Sequence, residues 1–211
     1  IKALRLTKEA DLLAFPGEDP EESVAYKIMK GAYPEISFKE KISLPMPMTK
    51  EKEELKQVHD EGARIICSYL DQGKNVVFLT LGDPTVYSTY LYIHKRVRKK
   101  GYKTEIISGI PSFCAVSARL NEGLVEKAQQ LHVIPASYQI AEALELPGTK
   151  VLMKAGKKIQ DVKEMLKVSG KNAVMIQNCG MPDEKIYRTV EEIPEDAGYY
   201  SLIIVKEKEE L

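Results

Sequence analysis

A chain of 211 residues, 44% hydrophobic and 29% charged, is long enough to bury a substantial core, as two modest lobes or one larger body. Its 31 Lys plus Arg offset 31 Asp plus Glu, a formal net charge of zero, which argues against broad electrostatic attraction to nucleic acid or to an anionic membrane surface. Cys67, Cys114 and Cys179 share no CxxC spacing, and no apolar run reaches the roughly 18 residues of a membrane span, so a zinc site, a disulfide scaffold and a membrane protein are all disfavoured and a reducing, cytoplasmic setting is expected.

Residues 1–6 read as the middle of an amphipathic helix that residues 7–11 close, and Leu12, Leu13, Ala14 and Phe15 as a short buried strand ended by Pro16 and Gly17. Asp19, Pro20, Glu21 and Glu22 have the acidic first-turn character of a helix start, with Val24, Ala25, Ile28 and Met29 expected on its apolar face. A strand is expected over residues 38–44, before Pro45-Met46-Pro47-Met48, which cannot be regular structure inside a sheet. Thr49 is the expected cap of a long helix in which Leu55, Val58, His59, Ala63, Ile66, Cys67 and Leu70 recur at helical spacing until Gly73.

The centre of the pattern is NVVFLTLGDPTVYSTY at residues 75–90. Val76 to Leu81 form an unbroken β-branched and apolar run without alternation, which predicts a strand buried on both faces of a mostly parallel sheet. Gly82 then permits a close backbone approach, Asp83 can cap, and Pro84 suits the first position of a helix carrying Val86, Tyr87, Tyr90 and Leu91 inward. Ligands of open α/β sheets collect beyond the carboxyl ends of strands, so this turn is the first candidate site. The basic run HKRVRKK at residues 94–100 falls at a helix end, where cations complement the macrodipole, and reads as a solvated surface rather than a binding patch.

A second strand over residues 103–107 is expected to lead into Ser108-Gly109-Ile110-Pro111-Ser112, with Gly109 allowing tight passage and Ser112 capping a helix that carries Phe113, Ala115, Val116 and Ala118. Two such turns on consecutive strands predict a shared crevice, and the alternation of strand and helix predicts a parallel α/β layer. Beyond residue 121 the character changes: strands are expected over 131–134, 150–154, 172–177 and 201–206, helices over 137–144 and 159–168, and a charged tail over 207–210. The expected division is an N-terminal α/β lobe over 1–120 and a C-terminal α/β lobe over 121–211.

Motifs for familiar chemistries are missing from the sequence. It contains no GxGxxG after a strand, no GxxxxGK[ST], no GxSxG elbow and no HExxH. Asp83 has no neighbouring carboxylates of the kind a phosphoryl-accepting aspartate needs with a metal, and His59, His94 and His132 show no ligand spacing, so no metal site is expected. What remains is a site of backbone, small residues and apolar walls, suited to holding a reactive cofactor.

LGDPTVYS at residues 81–88 followed by SGIPSFCA at 108–115 resembles the paired motifs of the tetrapyrrole (corrin/porphyrin) methylase family. VLMKAGKK at 151–158, QNCGMPDEKIY at 177–187 and YYSLIIV at 199–205 fall in family order, so the resemblance covers nearly the whole chain. Within the family it is nearest to the branch that methylates carbon 20 of precorrin-2 or cobalt-factor II in cobalamin biosynthesis. The resemblance implies a two-lobed α/β fold with a mostly parallel N-terminal sheet and a mixed C-terminal sheet, S-adenosyl-L-methionine as cofactor between the lobes, a small-molecule tetrapyrrole substrate and a homodimer. Position by position it implies cofactor contacts at Leu81, Gly82, Asp83 and Val86, at Pro111 and Ser112, at Met153 and Lys154, and at Gly180 or its neighbour Cys179. Members usually open on a glycine- and proline-rich loop after a first strand; none precedes Ile1, and that wall is expected to be missing from this numbering.

A sulfonium methyl is already electrophilic and an electron-rich macrocycle carbon already nucleophilic, so positioning, worth on the order of 7–11 kcal/mol, outweighs a general base. Asp83 is the first residue to test as a polar aid. Arg119 and Lys154 are candidate donors to substrate carboxylates, and Tyr87 and Tyr90 are expected in the core rather than stacked on the macrocycle. The alternatives are methylation at another position of a related tetrapyrrole, or a noncatalytic tetrapyrrole- or cofactor-binding protein.

Overall fold

The computed structural model describes residues 1–47, 49, 51–136 and 140–207. The chain forms two compact units, Ile1–Ile110 and Pro111–Leu211.

The first unit is built on β1 (Leu12–Pro16), whose Leu12, Leu13, Ala14 and Phe15 are wholly buried. It lies between β2 (Lys41–Leu44) and β3 (Val76–Phe78), both parallel to it, in the order β2-β1-β3. Successive side chains of a strand face opposite ways, so β1 serves two cores. Ala14 joins Leu44, Ala63, Ile66, Cys67, Ile93 and Val97 under α3 (Lys52–Leu70) and α4 (Tyr90–Lys99). Leu13 and Phe15 join Ala25 and Tyr26 of α2 (Val24–Ala32), the Phe15 and Tyr26 rings meeting edge to face at 5.7 Å. The opening helix, α1 (Lys2–Glu9), is closed by the Lys39 ammonium, which donates to the carbonyls of Lys8 and Ala10.

Several local expectations change here. The strand buried on both faces is β1, whereas β3 is a half-buried edge strand of three residues. Residues 103–107 form no strand: the exposed and half-buried residues alternate as in one, but periodicity reports which side faces the core and carries no information about a hydrogen-bonding partner. Residues 34–38 wind into a 3₁₀ turn started by Pro34, so β2 begins only at Lys41 and Phe38 is 89% exposed. On α2 Ala25 is buried as expected, Tyr26 is the other buried position, and Ile28 faces solvent. Thr49 Oγ1 accepts the Glu51 N–H at 3.1 Å, a step ahead of α3, whose N-cap is Glu51. Gly73, at φ 77°, ends that helix as expected. Met48, within the Pro-Met segment, lies outside the described residues.

The second unit is one mixed sheet in the order β4-β5-β8-β6-β7. Its strands are β4 (Leu131–Pro135), β5 (Thr149–Met153), β6 (Asn172–Gln177), β7 (Lys185–Tyr187) and β8 (Ser201–Lys206); the first two are parallel and β8 runs against β5 and β6. Four of these match the expected strands; β7 adds a short edge. The central strand β8 again serves two faces. Ile203 and Val205 pack with Leu152, Ala173 and Met175 on the side of α7 (Ile159–Ser169), with Leu144 of the short α6 (Ala141–Leu144) in the same cluster. Leu202 and Ile204 pack with Val151, Ile176 and Val116 of α5 (Ser112–Leu120). Alternation of strand and helix groups α5 with the preceding strands; its packing sets it on the second sheet. Ser112 is the first residue of α5, with Pro111 in the N-cap position and no side-chain cap. Residues 137–139, in the expected helix over 137–144, and 208–210 of the charged tail lie outside the described residues.

Candidate functional site

In the first unit the ladder of β3 against β1 ends where the Leu79 N–H donates to the Ala14 carbonyl at 2.8 Å. The chain then leaves the sheet at its carboxyl edge, and Gly82 takes φ 75°. Asp83 organises the turn beyond it. Its Oδ1 accepts the Thr85 N–H at 2.8 Å and the Thr85 hydroxyl at 2.6 Å, while the Val86 N–H donates to the Asp83 carbonyl at 3.1 Å, so residues 83–86 form a side-chain-locked turn. Helix α4 therefore starts at Tyr90 rather than at Pro84, and Tyr87, at φ 51°, could not continue a right-handed helix.

The second oxygen of Asp83 reaches the other turn. Oδ2 accepts the Ser108 hydroxyl at 2.5 Å and the Gly109 N–H at 2.9 Å. The side chain is buried, and the hydrogen bonds from Ser108 first, then from Thr85, hold its carboxyl well below the usual carboxylate range. Such a group is ionised, saturated and a poor proton acceptor; its chemistry is structural. Ser108 and Thr85 are parts of the quoted motifs to which sequence reasoning assigned no role. A Ser or Thr beside a glycine turn is a common local hydrogen-bonder, but nothing in sequence spacing says that it shares a carboxylate with a distant turn.

The turn also sets the places of the remaining site residues in this unit. Leu81 is exposed, and Gly82 and Val86 are half-buried. Tyr90 packs on Phe78 at 5.3 Å between ring centroids, and burial raises its phenol. Tyr87 is 45% exposed, which corrects its expected place in the core. His59 is buried and stacked on Tyr92 at 4.7 Å, with burial lowering its pKa, and His94 Nδ1 lies 3.2 Å from the Tyr90 hydroxyl. The basic run is a helix end, with Arg96 Nε donating to Asp60 at 2.6 Å.

In the second unit the register places Met153 opposite Leu202 and Gln177 opposite Ser201, so the carboxyl ends of β5 and β6 meet the start of β8 at one edge of the sheet. That edge brings together Met153, which is half-buried, Lys154 at φ 60°, and the loop from Asn178 to Gly180. Gly180, at φ 77°, donates its N–H to Glu184 at 2.8 Å. Glu184 also accepts from Arg119 Nε at 2.7 Å, which engages that candidate substrate donor in an ion pair. Tyr199 and Tyr200 are exposed at the same edge, and the buried Ser201 Oγ has no hydrogen-bond partner among the described residues. Pro111 and Ser112 lie at the start of α5. His132 Nε2 is 3.0 Å from the Pro147 carbonyl. Among the described residues no group of three or more His, Cys, Asp or Glu is placed to hold a metal ion, and no helix is long and apolar enough to cross a membrane.

Known proteins resemble this chain in sequence and in fold. The chain is 30% identical to the probable cobalt-precorrin-2 C(20)-methyltransferase of Methanocaldococcus jannaschii, over 98% of this chain and 89% of that protein. It is 29% identical to the cobalt-precorrin-2 C(20)-methyltransferase of Salmonella typhimurium, over 99% and 90% respectively. Among solved structures, a cobalt precorrin-4 methyltransferase matches with TM-score 0.74 at 17% identity, covering 98% of this chain and 87% of that one. The uroporphyrin-III C-methyltransferase of Thermus thermophilus in complex with S-adenosyl homocysteine matches with TM-score 0.69 at 18% identity, covering 97% and 89%. These solved structures carry the likeness of fold, a parallel sheet followed by a mixed one. The model of the tetrapyrrole (corrin/porphyrin) methylases matches residues 1–194, and the chain belongs to that family.

Proposed function

We propose that the protein transfers the methyl group of S-adenosyl-L-methionine to carbon 20 of precorrin-2 or cobalt-factor II in corrin biosynthesis. The observation that carries this reading is likeness over almost the entire chain to relatives named for that reaction. The geometry of the first unit supports it: the Asp83 carboxylate at the centre of the 81–88 turn is fully engaged by Thr85, Ser108 and the Gly109 N–H, so it offers a ligand no free charge and the turn offers its shape and its backbone. The absence of a side chain at Gly109 lets its main chain pack directly against a left-handed Gly82, so the two motif turns meet backbone to backbone.

When bound, S-adenosyl-L-methionine supplies an electrophilic methyl carbon. The chain's own residues then bind and orient. Leu81, Gly82, Asp83 and Val86 in the first unit, and Pro111, Ser112, Met153, Lys154 and Gly180 in the second, are the proposed cofactor contacts, with Asp83 contributing main chain and turn rather than a free carboxylate. Positioning of this kind is worth on the order of 7–11 kcal/mol when both reactants are held in line. A cytoplasmic homodimer belongs to the same proposal.

The test is incubation with methyl-labelled S-adenosyl-L-methionine and reduced precorrin-2, with and without cobalt, followed by NMR of the product. Label on carbon 20 is expected. Label at a different ring carbon favours the second reading, a methyltransferase of another tetrapyrrole position, and donor binding without label transfer favours a noncatalytic binding protein.

A further inference from the structure

We propose that Ser108 is a positioning residue for the methyl donor, acting through Asp83 to hold the two turns of the first unit at a fixed separation. The inference rests on the proposed function and adds a residue that the family resemblance does not assign. Asp83 divides its oxygens between two tasks: Oδ1 is used within its own turn, on Thr85, and Oδ2 is used across a sequence separation of 25 residues, on Ser108 and then on the Gly109 N–H. Attraction through Oδ2 draws the turns together. Main-chain contact stops them, because the position a Cβ of Gly109 would occupy is 2.2 Å from the Gly82 carbonyl oxygen and 3.5 Å from Asp83 Cα. An attraction and a hard stop on the same pair of segments define one spacing.

A ligand that rests on the backbone of residues 81–83 therefore meets a surface whose shape depends on the Ser108 hydroxyl. Without that hydroxyl, Oδ2 keeps only the Gly109 N–H, and the 108–109 segment loses one of its two charge-assisted tethers. Ser108 need not touch the donor for this, since residues 102–111 belong to no helix or strand and have no ladder to hold them in place. A residue of purely structural value would lower the melting temperature and the active fraction. A positioning residue lowers affinity for the donor while leaving a folded enzyme.

The experiment measures S-adenosyl-L-methionine and S-adenosylhomocysteine binding by titration calorimetry, together with KM, kcat and thermal midpoint, for wild type, Ser108→Ala, Ser108→Thr and Thr85→Val. Loss of one charge-assisted hydrogen bond predicts binding about 10-fold weaker in Ser108→Ala and a matching rise in KM, with kcat falling by less than about threefold. Ser108→Thr retains the hydroxyl and restores affinity to within about twofold. Thr85→Val removes a bond internal to one turn and weakens binding less than Ser108→Ala does. Wild-type affinity in Ser108→Ala, or a fall in kcat and melting temperature at unchanged KM, overturns the inference and leaves the proposed function standing. Failure of the wild-type protein to bind either ligand overturns both.

Discussion

Gly109 lies against Gly82 so closely that a methyl group on Gly109 would stand 2.2 Å from the Gly82 carbonyl oxygen, well inside van der Waals contact. The neighbour is main chain and cannot swing aside, so Gly109→Ala has to part the two turns. Overpacking of this kind costs about 1–3 kcal/mol. Urea unfolding should report that loss, and calorimetry a weaker grip on S-adenosyl-L-methionine. A variant as stable as wild type would mean that the turns separate freely.

The Asp83 carboxyl has a folded-state pKa depressed below its ordinary value of 3.8, chiefly by the Ser108 and Thr85 hydrogen bonds. A depressed carboxyl contributes stability that is present above its unfolded value and is lost as pH falls toward the folded value. Asp83→Asn removes that contribution and turns an amide donor toward the Ser108 and Gly109 donors. The stability difference between wild type and Asp83→Asn should be constant near neutrality and shrink as pH drops below about 3.8. Denaturant midpoints from pH 7 to pH 2.5 check this, and a difference independent of pH contradicts it.

Lys150 has no exposed surface, and its ammonium is paired with Glu207, whose side chain is 48% exposed and also accepts from Lys171. Removing one partner of such a pair leaves a buried charge uncompensated, whereas replacing the buried cation by an apolar chain of similar length does not. Glu207→Gln should therefore destabilise by about 1–3 kcal/mol, less than for a fully buried pair because water reaches the carboxylate, while Lys150→Met should lie within about 1 kcal/mol of wild type. Thermal denaturation of both variants gives the ordering, and a larger loss in Lys150→Met would refute it.

Lys154 holds φ 60° at the end of β5, a conformation that glycine adopts more cheaply than lysine. Lys154→Gly relieves the backbone and discards the side chain's contacts, so stability should change by less than about 1 kcal/mol. If the side chain serves the donor or a substrate carboxylate, affinity falls severalfold in the same protein. Measuring melting temperature and ligand binding on one sample separates the two effects.

Much of this architecture is legible without coordinates because periodicity is local. The runs 12–15, 150–154, 172–177 and 201–206 announce strands, the spacing of Ala63, Ile66 and Cys67 announces α3, and the glycine-bearing motifs near Gly82 and Gly109 mark the turns. The same local reading misplaces the centre of the first sheet. Val76 to Leu81 are as apolar as Leu12 to Phe15, but only β1 has a strand on each side, and neighbour number is a property of the assembled sheet. Residues 103–107 carry strand periodicity and find no ladder for the same reason.

The family, most of the strands and helices and the positions of both motif turns were contained in the sequence alone, since each depends on residues close together along the chain. Only the folded chain decided that Asp83 spends one oxygen on Thr85 and the other on Ser108 and Gly109, that α5 packs on β8, and that Lys150 is buried against Glu207. All of those pairings but Asp83–Thr85 join residues far apart in sequence, and a hydrogen bond or a buried charge pair between such residues exists only where closure of the chain has brought its partners within reach.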